Sequence, residues 1–203
     1  MTCFCFGVEQ VSPPWGFVFD DWAGDRLDVI VYIPIGAHKN TKILMVVPGA
    51  SRDTQRFHAS WLSFAKEDTF AVVTIGANKK YFPDEYSYNA GNIITPKGKP
   101  VDSSLWLFTA IEKVFQSVKK RYGFETNKFY LFGHSAGGGF VHRYMLFMPD
   151  APVEKAISAN SAFVTLPDKS EDYPFGLRNV SINSAMMRQW LESDLGIFLG
   201  AND

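Results

Sequence analysis

The residues best suited to chemistry stand together in the run Gly133-His134-Ser135-Ala136-Gly137. The apolar run from Phe129 to Phe132 directly before it is typical of a buried strand, and a helical pattern follows it. A serine between two glycines on a strand-to-helix turn has its hydroxyl lifted above the sheet, because the small neighbours permit a very tight turn. Ser135 is therefore a candidate nucleophile for attack on a carbonyl carbon.

Two other interpretations of this glycine-rich run stay open. Glycines also end strands for purely structural reasons, in which case Ser135 would have no chemical role. A phosphate-binding loop has less support, because no Lys-Ser or Lys-Thr pair follows the glycines and no G-x-G-x-x-G opens the turn. The strand before the run and the helix after it favour the nucleophile.

The elements that would position this serine alternate between strands and helices, which predicts an α/β fold. We expect a mostly parallel sheet with helices on both faces and an opening antiparallel hairpin. The predicted strands are Gly16–Asp21, Leu27–Ile33, Ile43–Val47, Phe70–Ile75, Phe129–Phe132, Val153–Ala159 and Ile197–Leu199. The predicted helices carry apolar residues at helical spacing: Phe57 to Ala65, Leu105 to Val118, Val141 to Phe147, and Ser184 to Ser193 with Met187, Trp190 and Leu191 inward.

Two long segments lack periodicity, from Lys79 to Gly98 and from Asn160 to Asn183. Long loops in compact domains tend to carry function. In an open α/β sheet the ligand site lies at the carboxyl ends of the strands, where the serine run also falls. We therefore expect the site at that edge of the sheet.

Size and composition narrow the class of protein. The 203 residues fit one domain. With 20 basic and 21 acidic residues the chain has no excess of positive charge, which binding to nucleic acid or to an anionic membrane would require. No apolar run approaches the ~20 residues of a membrane span, and no secretory signal is visible, so a cytoplasmic location is expected. Cys3 and Cys5 have no further ligands nearby, so neither a metal nor a cofactor is expected.

The chain resembles the α/β-hydrolase superfamily from Gly16 to Asp203. Three runs carry the resemblance: the serine run at 133–137, the Pro48-Gly49-Ala50 turn after a buried strand, and Gly200-Ala201-Asn202-Asp203. The opening hairpin, the serine run and the loop from Phe82 to Asn89 are most similar to esterases grouped with polyhydroxybutyrate-depolymerase-like hydrolases. A carboxylic ester, small or polymeric, is the substrate that this resemblance implies.

The resemblance also implies roles for individual residues. Ser135 would accept the acyl group, and the backbone amides of Ala50 and Ala136 would form the oxyanion hole. Asp203 would be the catalytic acid, with Asp168 as the alternative. An ordinary strand-ending turn at Pro48-Gly49-Ala50 stays open as a second interpretation.

The general base is the point at which the sequence departs from the family. The order Ser, Asp, His requires a histidine after the acid, and none follows Asp203. We expect none of the four histidines, His38, His58, His134 and His142, to act as the base on Ser135; His142 lies about 10 Å further along the helix. The expected domain therefore spans residues 1–203 but is C-terminally incomplete, without the final strand and helix.

Three functions remain after this reasoning. The first is a serine hydrolase of esters, which we expect to be inactive as the 203-residue chain because the general base is missing. The second is an inactive hydrolase-fold binding protein, and the third is an acyltransferase. The edge strand at Ile197–Leu199 should also be open for self-association, because nothing after it in the chain can pair with it.

Overall fold

The computed structural model describes residues 15–201. A single sheet of seven strands forms its centre: β1 (Trp15–Phe19), β2 (Leu27–Tyr32), β3 (Ile43–Val47), β4 (Ala71–Gly76), β5 (Phe129–His134), β6 (Val153–Ala159) and β7 (Leu195–Phe198). Their order is β1-β2-β4-β3-β5-β6-β7. The β1–β2 and β2–β4 pairs are antiparallel and the other four are parallel, so the predicted hairpin and mostly parallel sheet are confirmed.

Five α-helices connect these strands: α1 (Thr54–Ala59), α2 (Leu62–Glu67), α3 (Leu107–Tyr122), α4 (Ala136–Phe147) and α5 (Ser184–Glu192). Local signals set their ends. Asp53 caps α1 by accepting a hydrogen bond from the Arg56 amide, and Gly123 ends α3 in the left-handed conformation at φ 76°. The segments 79–98 and 160–183 are irregular apart from isolated β-bridges, as expected.

The helices cover both faces of the sheet, as the fold class requires. Alternation along the strands separates the faces, since Met45 and Val47 of β3 join the larger core under α3, α4 and α5, whereas Val46 joins a smaller core with α1 and α2. On this second face a depression of about 630 Å³ lies over β5, β6 and β7, lined by residues that include Tyr130 and Phe132.

Two details of the helix prediction are wrong. The residues from Phe57 to Ala65 form two short helices rather than one, because the chain turns at Ser60 and Trp61, where the Trp61 ring packs on Phe132 at a centroid distance of 4.8 Å. Leu191 is 71% exposed rather than inward, although Trp190 beside it is buried as predicted.

The predicted open edge is confirmed for the described residues. Strand β7 pairs with β6 through Leu195 to Phe198 and with no other strand in residues 15–201. Within these residues the outer row of backbone N–H and C=O groups of β7 has no strand partner, and pairing with another molecule remains a prediction.

Candidate active site

Ser135 occupies a strained turn between the end of β5 and the start of α4. Its φ of 56° and ψ of −122° lie outside the regions that L-residues favour, and such a conformation costs on the order of 1–3 kcal/mol. The surrounding chain imposes it, since the Ser135 amide donates to the Ala159 carbonyl at 2.9 Å and the Ser135 carbonyl accepts from Gly139 at 3.1 Å. The side chain does not cap α4, and its hydroxyl has no hydrogen-bond partner within residues 15–201. The predicted tight strand-to-helix turn is confirmed.

The two glycines of the motif are required by close backbone contacts. A Cβ at Gly133 would lie 2.0 Å from the Gly137 carbonyl oxygen, and a Cβ at Gly137 would lie 2.1 Å from the Val47 carbonyl oxygen. No side chain fits at such distances, because the obstructing atoms belong to the backbone. The first turn of α4 can therefore press against the ends of β3 and β5, which places Ser135 beside the turn that follows β3.

The two alanines expected to supply oxyanion amides lie beside Ser135. Ala50, Ser135 and Ala136 all line one depression of about 330 Å³. A second depression of about 410 Å³, on the side of Phe57 and His134, also includes Ala50 and Ser135. Neither the Ala50 nor the Ala136 amide donates a hydrogen bond to the part of the chain that the structure describes. Both amides are thus free to bind an oxygen atom of a ligand, and their convergence on one point remains a prediction.

A buried tyrosine and an arginine hold the turn that carries Ala50. Tyr88 donates its hydroxyl hydrogen bond to the Pro48 carbonyl, and the Arg52 guanidinium lies 3.2 Å from the centre of the Tyr88 ring. Arg52 also donates to the Ala77 carbonyl at 2.8 Å. Burial raises the pKa of Tyr88, so its hydroxyl keeps the proton that it donates. Sequence reasoning marked the loop from Phe82 to Asn89 but did not single out Tyr88 or Arg52.

Two of the four histidines are buried in structural roles. The Nδ1 atom of His58 lies 2.9 Å from the hydroxyl oxygen of Thr74, and Nε2 of His142 lies 3.1 Å from both the nitrogen and the carbonyl oxygen of Thr165. Burial lowers the pKa of both imidazoles to about 4. Both are neutral at physiological pH, and neither ring is hydrogen-bonded to Ser135.

The other two histidines also lack a hydrogen bond to Ser135. The His134 ring packs on Phe57 at a centroid distance of 6.2 Å, and Nδ1 of exposed His38 accepts from the Asn40 amide at 3.2 Å. All four histidines of the chain lie within the described residues. No hydrogen bond joins any of the four rings to Ser135 within residues 15–201, and the absence of a general base among them remains a prediction.

Only one of the two candidate acids, Asp168, lies within the described residues. Asp203 lies outside the described residues. Asp168 is exposed and accepts hydrogen bonds from the amide and hydroxyl of Ser170, which lower the pKa of its carboxyl. These bonds are internal to its own turn, so the structure gives Asp168 a local role in the 160–183 segment.

An arginine that sequence reasoning missed lies under the site. Arg143 on α4 is 1% exposed, and no carboxylate of residues 15–201 pairs with it in a salt bridge. Its guanidinium instead donates to the Thr165 hydroxyl at 2.9 Å and to three carbonyls, those of Asn89, Phe163 and Pro174. The cation therefore joins the nucleophile helix to both long loops. The sequence does not indicate this role, because a helical arginine among apolar residues has the same local pattern whether its side chain is buried or exposed.

No group of three or more His, Cys, Asp or Glu side chains in residues 15–201 is arranged to hold a metal ion. No helix in that range has the length and apolar character needed to cross a bilayer.

Comparison with known proteins gives strong structural matches. A poly(aspartic acid) hydrolase-1 from Sphingomonas sp. KT-1 superimposes with a TM-score of 0.90 and 36% identity, covering 94% of this chain and 72% of that one. LpqC, a poly(3-hydroxybutyrate) depolymerase from Bordetella parapertussis, gives 0.85 and 27%, covering 92% of this chain and 64% of that one. The siderophore hydrolase EstA from Aspergillus nidulans, at 0.57 and 14%, shares the fold.

The chain thus spans less than two thirds of the Bordetella protein and somewhat more of the Sphingomonas protein. No protein-family model matches the sequence, and a search of curated proteins gave no match. The agreement with the two bacterial hydrolases covers more than nine tenths of this chain. The chain therefore belongs to the α/β-hydrolase superfamily, among its polyhydroxybutyrate-depolymerase-like and esterase members.

Proposed function

We propose that this protein is a serine hydrolase of carboxylic esters with Ser135 as its nucleophile. The observation that carries the proposal is the strained backbone of Ser135, at φ 56° and ψ −122°. The Ser135 hydroxyl also has no hydrogen-bond partner in residues 15–201. Strain of this kind persists where the structure enforces it and is concentrated at functional sites. The free amides of Ala50 and Ala136 beside the hydroxyl supply the second requirement, a site for developing negative charge.

In this mechanism the Ser135 hydroxyl oxygen bonds to the ester carbonyl carbon, and the hydroxyl proton passes to a general base. The carbonyl oxygen becomes an oxyanion, which the amides of Ala50 and Ala136 bind. Collapse of the tetrahedral intermediate breaks the bond to the alkoxy oxygen, which leaves as the alcohol with the proton returned by the base. Water then attacks the acyl-serine and releases the carboxylic acid, restoring the hydroxyl.

We propose that the base this mechanism requires is none of the four histidines of the chain; the absence of a hydrogen bond from any of them to Ser135 in residues 15–201 supports this. We propose that it is a histidine outside residues 1–203, and that Asp203 orients it as the catalytic acid. The greater length of the two bacterial hydrolases supports this proposal. The 203-residue chain alone should then turn over esters very slowly, because loss of a triad histidine costs on the order of a million-fold in kcat.

The placement of the histidines also favours a second candidate function. A hydrolase-fold protein without a base retains its pocket and can bind an ester or acid without cleaving it. The two candidates differ in whether Ser135 forms a covalent bond, so chemical trapping separates them.

Fluorophosphonate labelling in the presence and absence of imidazole tests the proposal. Imidazole in solution can act as the missing base, so labelling of the chain should be slow alone and at least about ten-fold faster with imidazole. The Ser135→Ala variant should not be labelled, either with or without imidazole. If imidazole leaves labelling of the unmodified chain as slow as that of Ser135→Ala, the binding-protein alternative is correct.

A further inference from the structure

An exposed apolar patch lies on the loop after β6, beside the candidate nucleophile. It consists of four residues, which we call the apolar ledge, with these exposed fractions: Phe163 59%, Val164 36%, Leu166 52% and Phe175 46%. Clustered exposed apolar side chains of this kind mark binding surfaces, whereas scattered ones are ordinary. Phe163 and Phe175 contact each other edge to face at a centroid distance of 5.5 Å, so the two aromatic rings of the ledge form one surface.

The ledge is continuous with the serine site. Phe163 lines the same 330 Å³ depression as Ala50, Ser135 and Ala136. A ligand whose carbonyl carbon lies at the Ser135 hydroxyl can therefore extend over Phe163 towards Phe175.

The ledge is held in place from beneath. Arg143 donates to the carbonyls of Phe163 and Pro174 and to the Thr165 hydroxyl, and that hydroxyl in turn donates to the Pro174 carbonyl at 2.6 Å. The Leu166 amide donates to the Phe175 carbonyl at 2.8 Å. These bonds fix the two halves of the ledge relative to α4. A surface fixed in advance binds without a large entropy cost of ordering.

Charge is distributed unequally around the depression. Its charged side chains, Arg52, Lys79, Asp84 and Glu85, lie on the side formed by the β3–α1 turn and the 79–98 segment. The side formed by Ser161, Ala162 and Phe163 carries none. The chain that lies over the ledge should therefore be uncharged, because a carboxylate there would lose hydration without gaining a cation.

We propose that the apolar ledge is a subsite for an uncharged aliphatic chain of the ester substrate. The assignment rests on the proposed function, because the serine defines where the ester carbonyl lies. Each methylene removed fully from water contributes roughly a four-fold gain in affinity, and partial coverage on the ledge contributes less.

Binding of two uncharged amides to the 203-residue chain tests this subsite without requiring turnover. N-butylbutanamide carries an aliphatic chain on each side of its carbonyl group, and N-methylacetamide has the same polar group without them. In NMR titrations of the labelled protein, we expect the dissociation constant of N-butylbutanamide to be at least ten-fold lower, with amide shifts at Phe163 and Phe175.

The matched variants are Phe163→Ser combined with Phe175→Ser, and Phe64→Ser as the control on α2. The exposed fraction of Phe64 is 54%, which is similar to the 59% of Phe163 and the 46% of Phe175. The double variant should lose most of the ten-fold preference and the control should keep it. An unchanged preference in the double variant overturns the subsite. A double variant that instead converts a dimer to a monomer in sedimentation, with no amide bound to the unmodified chain, shows that the ledge is a subunit interface and also overturns it.

The amide titration is independent of the nucleophile. Amide binding with no fluorophosphonate adduct would retain the subsite and refute the hydrolase, and the reverse result would retain the hydrolase alone.

Discussion

At the scale of single residues, the site depends on two glycines whose lack of a side chain permits close backbone packing. Gly133 and Gly137 leave no space for a Cβ, and this lets α4 approach the ends of β3 and β5. The close approach forces Ser135 into its positive φ and turns its hydroxyl to the surface. The strain at Ser135 is thus a consequence of packing around it.

Substitution of Gly137 by alanine should lower the free energy of unfolding by at least about 2 kcal/mol, because the new Cβ would lie 2.1 Å from the Val47 carbonyl oxygen. Urea unfolding followed by circular dichroism measures the change. The control is Gly16→Ala on β1, where the nearest atom is 3.4 Å away and the effect should stay within about 0.5 kcal/mol. Equal stabilities for the two variants would contradict the packing described for the motif.

The buried histidines should make stability depend on pH. Burial lowers the pKa of His58 to about 4 in the folded chain, against 6.5 for a free imidazole, so the unfolded state binds more protons between these values. The contribution of His58 is fully present above about pH 6.5 and is lost as the pH falls towards 4. It amounts to about 3 kcal/mol.

Unfolding of His58→Gln between pH 7 and 4.5 should therefore show a shallower decline in stability than the unmodified chain. His38→Gln is the control, since His38 is exposed, and it should follow the unmodified curve. A His58→Gln curve parallel to that of the unmodified chain would show that His58 is not held neutral in the fold.

At the scale of elements, α4 connects the parts of the site. Its N-terminus carries Ser135, and its second turn carries Arg143, whose donors reach Asn89 in one long loop and Phe163 in the other. The two pocket walls are thereby tied to the helix that positions the nucleophile. A buried arginine without a carboxylate is tolerated here because hydroxyl and carbonyl oxygens accept its hydrogen bonds.

Arg143→Met should lower the free energy of unfolding by about 3 kcal/mol, because four acceptors, two of them in fully buried hydrogen bonds, lose their charged donor. The exposed Arg188 on α5 provides the control, and Arg188→Met should change stability by less than about 0.5 kcal/mol. Thermal unfolding compares them, and hydrogen exchange should be faster in segments 79–98 and 160–183 of Arg143→Met alone. Unchanged exchange would mean that Arg143 does not hold the loops.

Local chemistry explains which elements could be predicted. The bounds of β3 follow from an apolar run that ends at a proline, and the turn at Ser135 follows from its glycines. The break between α1 and α2 could not be predicted, since apolar spacing continues through Trp61 and the contact that stabilises the break is with the distant Phe132. The bond from Tyr88 to Pro48 and the contacts of Arg143 are likewise long-range, so no local pattern indicates them.

At the scale of the whole molecule, the sheet of residues 15–201 ends on one side at β1 and on the other side at β7. Only β6 pairs with it among residues 15–201, and Ile197 and Phe198 are about half exposed. An apolar edge strand can add a strand from another molecule, and charged residues commonly prevent this.

Ile197→Lys should therefore weaken self-association of the 203-residue chain in sedimentation velocity over a range of concentrations. Leu191→Lys is the matched control, because Leu191 is also apolar and exposed but lies on α5. If both lysines have the same effect, association depends on net charge rather than on the β7 edge.

The central claim is that Ser135 is the nucleophile of acyl transfer, and location of an acyl group on the protein tests it most directly. The unmodified chain is incubated with p-nitrophenyl butyrate and imidazole, quenched in acid, digested and mapped by mass spectrometry. We predict a butyryl group on the peptide that contains Ser135, no butyrylated serine elsewhere, and no such adduct in Ser135→Ala. A butyryl group on another serine, or an unmodified Ser135 peptide after prolonged incubation, would contradict the claim.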